Sequence, residues 1–439
     1  RIMPNIKSLQ GGPSVIVYDE LIYHSAIDFV LRGDAEESLP LLLDLLDRGE
    51  KDFSKVEGLL WKRETGEIVK NSTIPLIRDF SVYPLNDEDL YMKYSELSTR
   101  RTKSFLLSRG CPYPCTYCGS ATLNQFFKKN KIGNHFRYGA AERVIEEIEI
   151  TIKKYGLEWV QFHDATFNAN PRFLKEFLEL YIERDLPPFI CNIRSENIKE
   201  DVMALLKKAK CDRITIGIQS GSNRIRKDLS GRSRQSEENI KATCDLAKKY
   251  EIRVGIDLIF GWPGETLKEA LDTIRIAREL NVDRINTNVM CYYPDANITK
   301  FAYENGYLDS FPSVFDIDEL TNPFSLPLNK TPDIEKLINL DKLTYWFVNY
   351  SFLNFYPVKM ILLGVKPNRF YYFLKNCPAM VGSLKYDART LPEKIDIIKS
   401  LIISSWTLKK SFNQNVQDSN KIKAQVGNYK QKYSSKFGA

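Results

Sequence analysis

An α/β protein organised around an incomplete parallel barrel is what this sequence predicts, and three observations carry the prediction. Between about Lys103 and Pro294, six short runs rich in β-branched and aromatic residues alternate with five longer segments whose apolar residues recur at helical spacing. Each strand is thus joined to the next by a helix, the pattern of successive right-handed crossovers between parallel strands. The chemically capable polar residues fall just after the strand-like runs, where barrels of this kind place their active sites. Six units in place of eight leave a partial (βα)6 TIM-like barrel, open on one side.

In chain order, IDFVL and the helical pattern after RGDAEES form an α/β piece over residues 1–50. A connecting region over 51–97 holds a hairpin, LLWKRETGEIVKN, turning at Thr65 and Gly66. The barrel spans 98–310, with strands beginning near Lys103, Trp159, Phe189, Arg213, Arg253 and Arg284. A mainly helical region with a polar tail fills 311–439.

Composition narrows the function classes. At 439 residues, with 43% apolar and 12% aromatic residues, the chain is a multi-domain globular protein. Much of its +7 charge sits in a tail containing Lys421, Lys423, Lys430, Lys432 and Lys436, which reads as a solvated segment. No basic module interleaved with aromatics marks nucleic acid as a partner. Eight cysteines, three clustered and five scattered, do not form a secreted disulfide framework, so a reducing cytoplasm is expected. No apolar run approaches the roughly 18 residues of a membrane span. The opening RIMPNIKSLQGG has no apolar signal core and does not begin with Met, which reads as a truncated start.

The segment RGCPYPCTYCGSAT gathers Cys111, Cys115 and Cys118 directly after the first barrel strand. Three thiolates satisfy neither disulfide pairing nor the four-ligand shell of a structural zinc. They suit an iron–sulfur cube with one iron left open, Pro112, Pro114 and Gly119 shaping the loop and Arg109 offering a nearby positive charge. Zinc completed by a distant Cys191 or His135, and unligated thiols, are the alternatives.

With CxxxCxxC at this position, the chain from about Ser98 to Pro294 resembles the radical S-adenosylmethionine enzymes. The resemblance implies a [4Fe-4S] cluster on Cys111, Cys115 and Cys118. It also implies S-adenosylmethionine chelating the open iron, and reductive cleavage to a 5′-deoxyadenosyl radical with electrons from a donor such as flavodoxin or ferredoxin. It assigns Tyr117 to the adenine and His163 and Asp164 to the cofactor's amino group. Arg194 and Ser195 become cofactor or substrate contacts, Gln219 a ribose contact, Arg232 a carboxylate contact, and Gly261 of FGWPGE a backbone turn beside adenine. Gln219 stands where many members have Glu. YYPDAN, with Tyr292 and Tyr293, departs from the family's usual turn after the sixth strand, and the two tyrosines are candidates to donate a hydrogen atom.

Upstream, GGPSVIVYDE and IDFVLRGDAEESL resemble the last third of the cobalamin-binding domain in the cobalamin-dependent branch, with Gly11, Gly12, Gly33 and Asp34 at the matching turns. The DxHxxG element is missing. If upstream residues precede Arg1, the resemblance implies a cobalamin-dependent methyltransferase acting on an unactivated carbon of a small molecule, lipid or peptide. If not, it implies a radical rearrangement, oxidation or ring closure without cobalamin. A non-catalytic iron–sulfur or electron-transfer protein is the alternative of another class, and it would want a fourth thiolate. Tyr345–Asn376, aromatic and basic, reads as helices covering the barrel's open side, with peripheral membrane contact as the second reading.

Overall fold

The computed structural model describes residues 6–72, 74–94, 101–313 and 329–386, with isolated positions 395, 398, 399 and 402. The basic tail from Lys421 to Lys436 lies outside the described residues.

Six parallel strands form the central sheet: β5 (Thr102–Phe105), β8 (Trp159–Phe162), β9 (Phe189–Ile193), β10 (Cys211–Gln219), β11 (Arg253–Phe260) and β12 (Arg284–Val289). Their spatial order is β12-β11-β10-β9-β8-β5, the order of the chain, so the sheet winds one way and never reverses. A doubly wound sheet would change direction at a switch point. The two ends of the row, β5 and β12, do not pair with each other, which makes this an open half-barrel.

Local chemistry starts and stops the covering helices. Ser236 and Asn239 close a capping box on helix Glu237–Lys249, and Thr266 and Glu269 close another on Leu267–Leu280. Asn170 caps Pro171–Glu183, which has proline in its first turn, and Gly156 ends Ala141–Tyr155 in the left-handed region at φ 65°. Each helix turns its apolar stripe inward. Ile148, Phe177, Leu206, Ile240 and Ile274 pack on Phe162, Phe189, Ile214, Ile216 and Ile256 in one continuous core.

The N-terminal residues form a second sheet, β1 (Leu9–Gln10), β2 (Phe29–Leu31), β3 (Leu59–Lys62) and β4 (Ile68–Lys70). β1 runs parallel to β2, and the β3–β4 hairpin adds antiparallel to β2's other side. The hairpin expected in a connecting region therefore belongs to this sheet, because Leu59 and Trp61 bury with Phe29 and Leu31 in one core. A small antiparallel pair, β6 (Ser108–Arg109) with β7 (Arg137–Tyr138), frames the cysteine loop and was not anticipated.

After β12, helix Ile334–Asn349 packs on β12 and on helix Leu267–Leu280, Thr287 Oγ1 donating to Asp341 O at 2.9 Å, and thus covers the terminal strand of the barrel. Beyond it Phe352, Phe355, Tyr356, Ile361 and Phe370 are exposed. Among the described residues no helix is long and apolar enough to cross a membrane.

Candidate functional site

The cysteine loop lies at the C-terminal ends of the strands and is clamped from several directions. Gly110, at φ 82°, precedes it, and a Cβ there would meet His135 Cδ2 at 2.7 Å and His135 O at 2.8 Å. Thr116 N donates to Ser230 O at 3.2 Å, Ile298 N donates to Thr116 O at 3.1 Å, and Asn124 Nδ2 donates to Cys111 O at 2.6 Å. Gly231 at φ 70° lets that segment approach, since its Cβ would meet Pro114 O at 2.7 Å. The loop's shape is therefore set by main-chain contacts before any ligand binds.

Arg194 Nη1 donates to Cys115 Sγ at 3.2 Å, its guanidinium stacks 4.0 Å from the Tyr113 ring centroid, and Glu196 accepts from its Nε and Nη2 edge. Thr166 Oγ1 lies 3.5 Å from Cys111 Sγ. Burial pushes the Cys111 thiol up, and the charges of Cys115 and Cys118 add to that. The thiols therefore sit within range of one another's charge. Yet among the described residues no three ligand-type side chains converge on a single ion. Three thiols on one short loop, with no fourth, are the donor set of an iron–sulfur cube that keeps one iron open. Of the distant zinc candidates, Cys191 interacts with Cys211 inside the core, whereas His135 lies against Gly110 at the start of the loop with its ring 5.3 Å from Phe127.

Around this loop the structure links several of the expected residues. Arg232 Nε donates to Tyr117 Oη at 3.1 Å and Nη1 to Gly217 O at 2.6 Å, while Gln235 Nε2 reaches Ser195 Oγ at 3.2 Å. Tyr117 packs edge-on against Trp262 with centroids 5.2 Å apart. Gln219 closes β10 at φ 69°, a strained conformation for a non-glycine residue, where β10 slips register against β11. Gly261, at φ 80°, has both its groups engaged: its N–H donates to Glu265 Oε2 at 2.6 Å, and its carbonyl accepts from Tyr292 Oη at 3.3 Å and Asn329 Nδ2 at 3.1 Å.

Other expected residues are placed differently. His163 is exposed at the end of β8. The Asp164 carboxylate accepts from Leu107 N at 3.0 Å, Ser108 N at 2.8 Å and Ser108 Oγ at 2.6 Å, so it braces the chain entering β6. Tyr292 is buried in an apolar cluster with Trp262, Ile225 and Met290, and Tyr293 is 39% exposed. Arg109 is paired with Asp34 at 2.8 Å and with Glu36, so Arg194, not Arg109, brings positive charge to the thiols.

Asp34 and Gly33 belong to a junction between the two sheets. Asp34 accepts from Arg109 Nη1, from Arg137 Nη1 at 2.6 Å and from Ile77 N at 2.6 Å, and Phe80 lies under both guanidinium groups, 4.3 and 5.2 Å from its centroid. Burial pushes Asp34 up, but Arg137, the Ile77 N–H and Arg109 outweigh it and hold the carboxyl below its usual value. Gly33 is needed at φ 87° because a Cβ would strike Pro75 O at 2.5 Å. Gly12, at φ 95°, by contrast faces open space.

Residues 105–277 match the profile of the Radical SAM superfamily. This part of the chain is thus similar to the radical SAM superfamily. A Pyrococcus horikoshii protein named as an uncharacterized methyltransferase is 29% identical over 311 residues, covering 70% of this chain and 65% of its own. An anaerobic magnesium-protoporphyrin IX monomethyl ester cyclase of Synechocystis is 25% identical over 242 residues, covering 54% of this chain and 46% of the cyclase. The chain thus spans less than two thirds of each of these relatives. Among solved structures, the radical S-adenosylmethionine methyltransferase TsrM of Kitasatospora setae aligns with TM-score 0.57 at 17% identity, over 69% of this chain and 59% of TsrM. The cobalamin-dependent radical enzyme OxsB aligns with TM-score 0.52 at 14% identity, over 93% of this chain and 67% of OxsB. At these identities the likeness is one of fold, and with OxsB it takes in nearly the whole chain.

Sequence reasoning missed Tyr113 and Glu196, and took Glu265 only as the end of the GWPGE turn. Only Glu265 had a signal, an acidic residue closing the GWPGE turn whose amides it accepts.

Proposed function

We propose that this radical SAM protein is a cobalamin-dependent methyltransferase acting on an unactivated carbon. The observation that carries the reading is the clamped triad of Cys111, Cys115 and Cys118 at one end of the half-barrel, with Tyr117, Arg232, Gln235 and Ser195 linked in a chain of hydrogen bonds at the same end. Once bound, a [4Fe-4S] cluster with S-adenosylmethionine supplies a carbon-centred radical, and cobalamin supplies the methyl group. The three cysteines hold the cluster. Arg194 steadies the sulfur of Cys115 with a charge-assisted hydrogen bond and is itself fixed by Glu196 and Tyr113.

Arg232 uses Nε and Nη1 within the protein and leaves Nη2 without a hydrogen bond among the described residues, which suits the cofactor's carboxylate. Gln219 offers an amide to the ribose. Tyr117, set by Arg232 and Trp262, lies beside the adenine. The open surface at Gly12 suits an edge of the corrin pocket, with Gly11 beside it, whereas Gly33 and Asp34 serve the junction. A one-electron donor such as flavodoxin or ferredoxin completes the system, and the substrate is a small molecule, lipid or peptide.

The test is anaerobic: reconstitute with iron and sulfide, add S-adenosylmethionine, methylcobalamin and a strong reductant, and quantify 5′-deoxyadenosine and S-adenosylhomocysteine together, with Cys115→Ala as control. Both products, lost in the control along with bound iron, are expected. Deoxyadenosine alone would replace methyl transfer by a radical rearrangement, oxidation or ring closure. Neither product from fully clustered protein would sink the reading.

A further inference from the structure

Strand register identifies the inner face of the half-barrel. Ile214, Ile216 and Ile218 of β10 are completely buried toward the helices, so Arg213, Thr215 and Gly217 face the lumen. Parallel pairing sets Arg253 beside Arg213; one rung up, Arg284 pairs with Gly255, which pairs with Thr215; one rung further, Asn286 and Gly217 flank Asp257. The lumen floor, at the N-terminal ends of the strands, therefore holds three guanidinium groups, with a side-chain-free glycine between two of them. Along β10 the floor lies six residues below Gln219, about 20 Å at the usual strand rise.

Among the described residues only Arg253 of the three is in an ion pair, although the charges of Asp212 and Asp283 partly offset the crowding at Arg213. Arg253 pairs with Asp212. Arg284 Nε donates to the neutral Asn286 Oδ1 at 3.0 Å, and Arg213 Nε is enclosed with no acceptor among the described residues. Neither Arg213 nor Arg284 meets a carboxylate among the described residues. Burial, then the charges of Arg284 and Arg253, push Arg213 down to about 10. Arg284 is exposed and Arg253 32% exposed, so the cost falls on Arg213, whose enclosed donor lacks a partner while two like charges crowd it. A ligand that brings the missing negative charge removes both penalties. One rung above, Asp257 Oδ1 accepts from Asn286 Nδ2 at 2.8 Å, while Oδ2 has no hydrogen bond among the described residues.

Resting on the proposed function for the use of the lumen, we propose that Arg213 and Arg284 anchor a carboxylate of the substrate at the barrel floor. The substrate is then an elongated organic acid, its carboxylate gripped at the floor, its middle meeting Asp257 and Asn286, and its reacting carbon held at the cluster end. A planar carboxylate matches the guanidinium fork, and Asp257 one rung away disfavours a phosphate dianion.

The test uses the full chain with its cluster reconstituted and ligand-observed NMR titration of hexanoate, hexanamide and inorganic phosphate, with Arg213→Gln, Arg284→Gln and, as a control on an exposed helix face, Arg275→Gln. Hexanoate is expected to bind better than the other two probes and to weaken about tenfold or more in both floor variants, with Arg275→Gln unchanged. Thermal unfolding is read alongside: removing one of several crowded like charges is expected to keep or raise the Tm, whereas an arginine needed only for structure would lower it. If Arg213→Gln does not fold, its structural role overturns the two-arginine anchor, and Arg284→Gln reports whether a single-arginine site remains. Absent hexanoate binding, equal binding of hexanamide, tighter binding of phosphate, or equal weakening in the control each overturns the proposal. Loss of deoxyadenosine formation with hexanoate binding intact would count against the proposed function alone; the converse would count against the anchor alone.

Discussion

The two ends of the half-barrel lumen treat charge in opposite ways. At the cluster end Arg194 is met by Glu196 and Cys115, Arg224 by Glu269, and Arg232 by Tyr117 and the Gly217 carbonyl. At the floor Arg213 and Arg284 are left without a carboxylate among the described residues. The cluster end is organised by the chain itself, so its geometry does not wait for a ligand. The floor is organised only as far as strand register takes it. A site that must hold a reactive intermediate gains from being rigid beforehand; a site that grips one end of a substrate gains from an unmet charge.

That contrast is broken most severely at the cluster end. Arg194→Gln leaves the Glu196 carboxylate, 8% exposed, without its ion-pair partner, so a loss of about 3–5 kcal/mol is expected in urea unfolding. Glu196→Gln should cost less, because Arg194 keeps Cys115 and Tyr113. Equal losses from the two substitutions would show that the pair is not what holds Arg194.

The junction comes next. Asp34→Asn removes the anion shared by Arg109 and Arg137 and should cost about 1–3 kcal/mol. Asp34 sits below its usual value, so its contribution is full above the unfolded carboxyl pKa and fades as pH falls through the lower folded one. Melting curves from pH 7 down to about 3 should therefore converge for wild type and Asp34→Asn; a constant gap would contradict the assignment.

The smallest effect at neutral pH belongs to Glu265, which burial pushes up to about 8 despite the N–H donors of Gly261 and Trp262. Neutral at pH 7, it should tolerate Glu265→Gln with a change of about 1 kcal/mol or less. A raised carboxyl favours folding fully below its unfolded pKa, and that advantage is lost as pH rises toward 8. The Gln variant lacks the slope, so it should gain on wild type between about pH 5 and 8. Parallel stability profiles across that range would mean that Glu265 is ionised in the folded protein.

Strands and helices were readable in the sequence wherever a local pattern decides them. RITIGIQ and RVGIDLIF alternate or run apolar because one face or both are covered, and SEEN and TLKE carry their own capping boxes. The cysteine triad was readable because its members lie within eight positions of one loop. That Asp164 accepts from the main chain of Leu107 and Ser108 was not readable, because a carboxylate after a strand looks the same in sequence whether it faces a ligand or a neighbouring strand's main chain. The β3–β4 hairpin was visible as a hairpin, but nothing local told which sheet it would join.

The sequence by itself determined the half-barrel, the order of its strands and the cluster loop, since these follow from periodicity, short connections and the spacing of soft ligands along the chain. Tertiary structure alone decided which arginine serves the thiols, that Asp34 joins two sheets, and that Arg213 and Arg284 meet across β11. Those pairings link residues dozens to a hundred positions apart. Their partners are set by strand register and by the bend of the sheet, which depend on how all the covering helices pack at once.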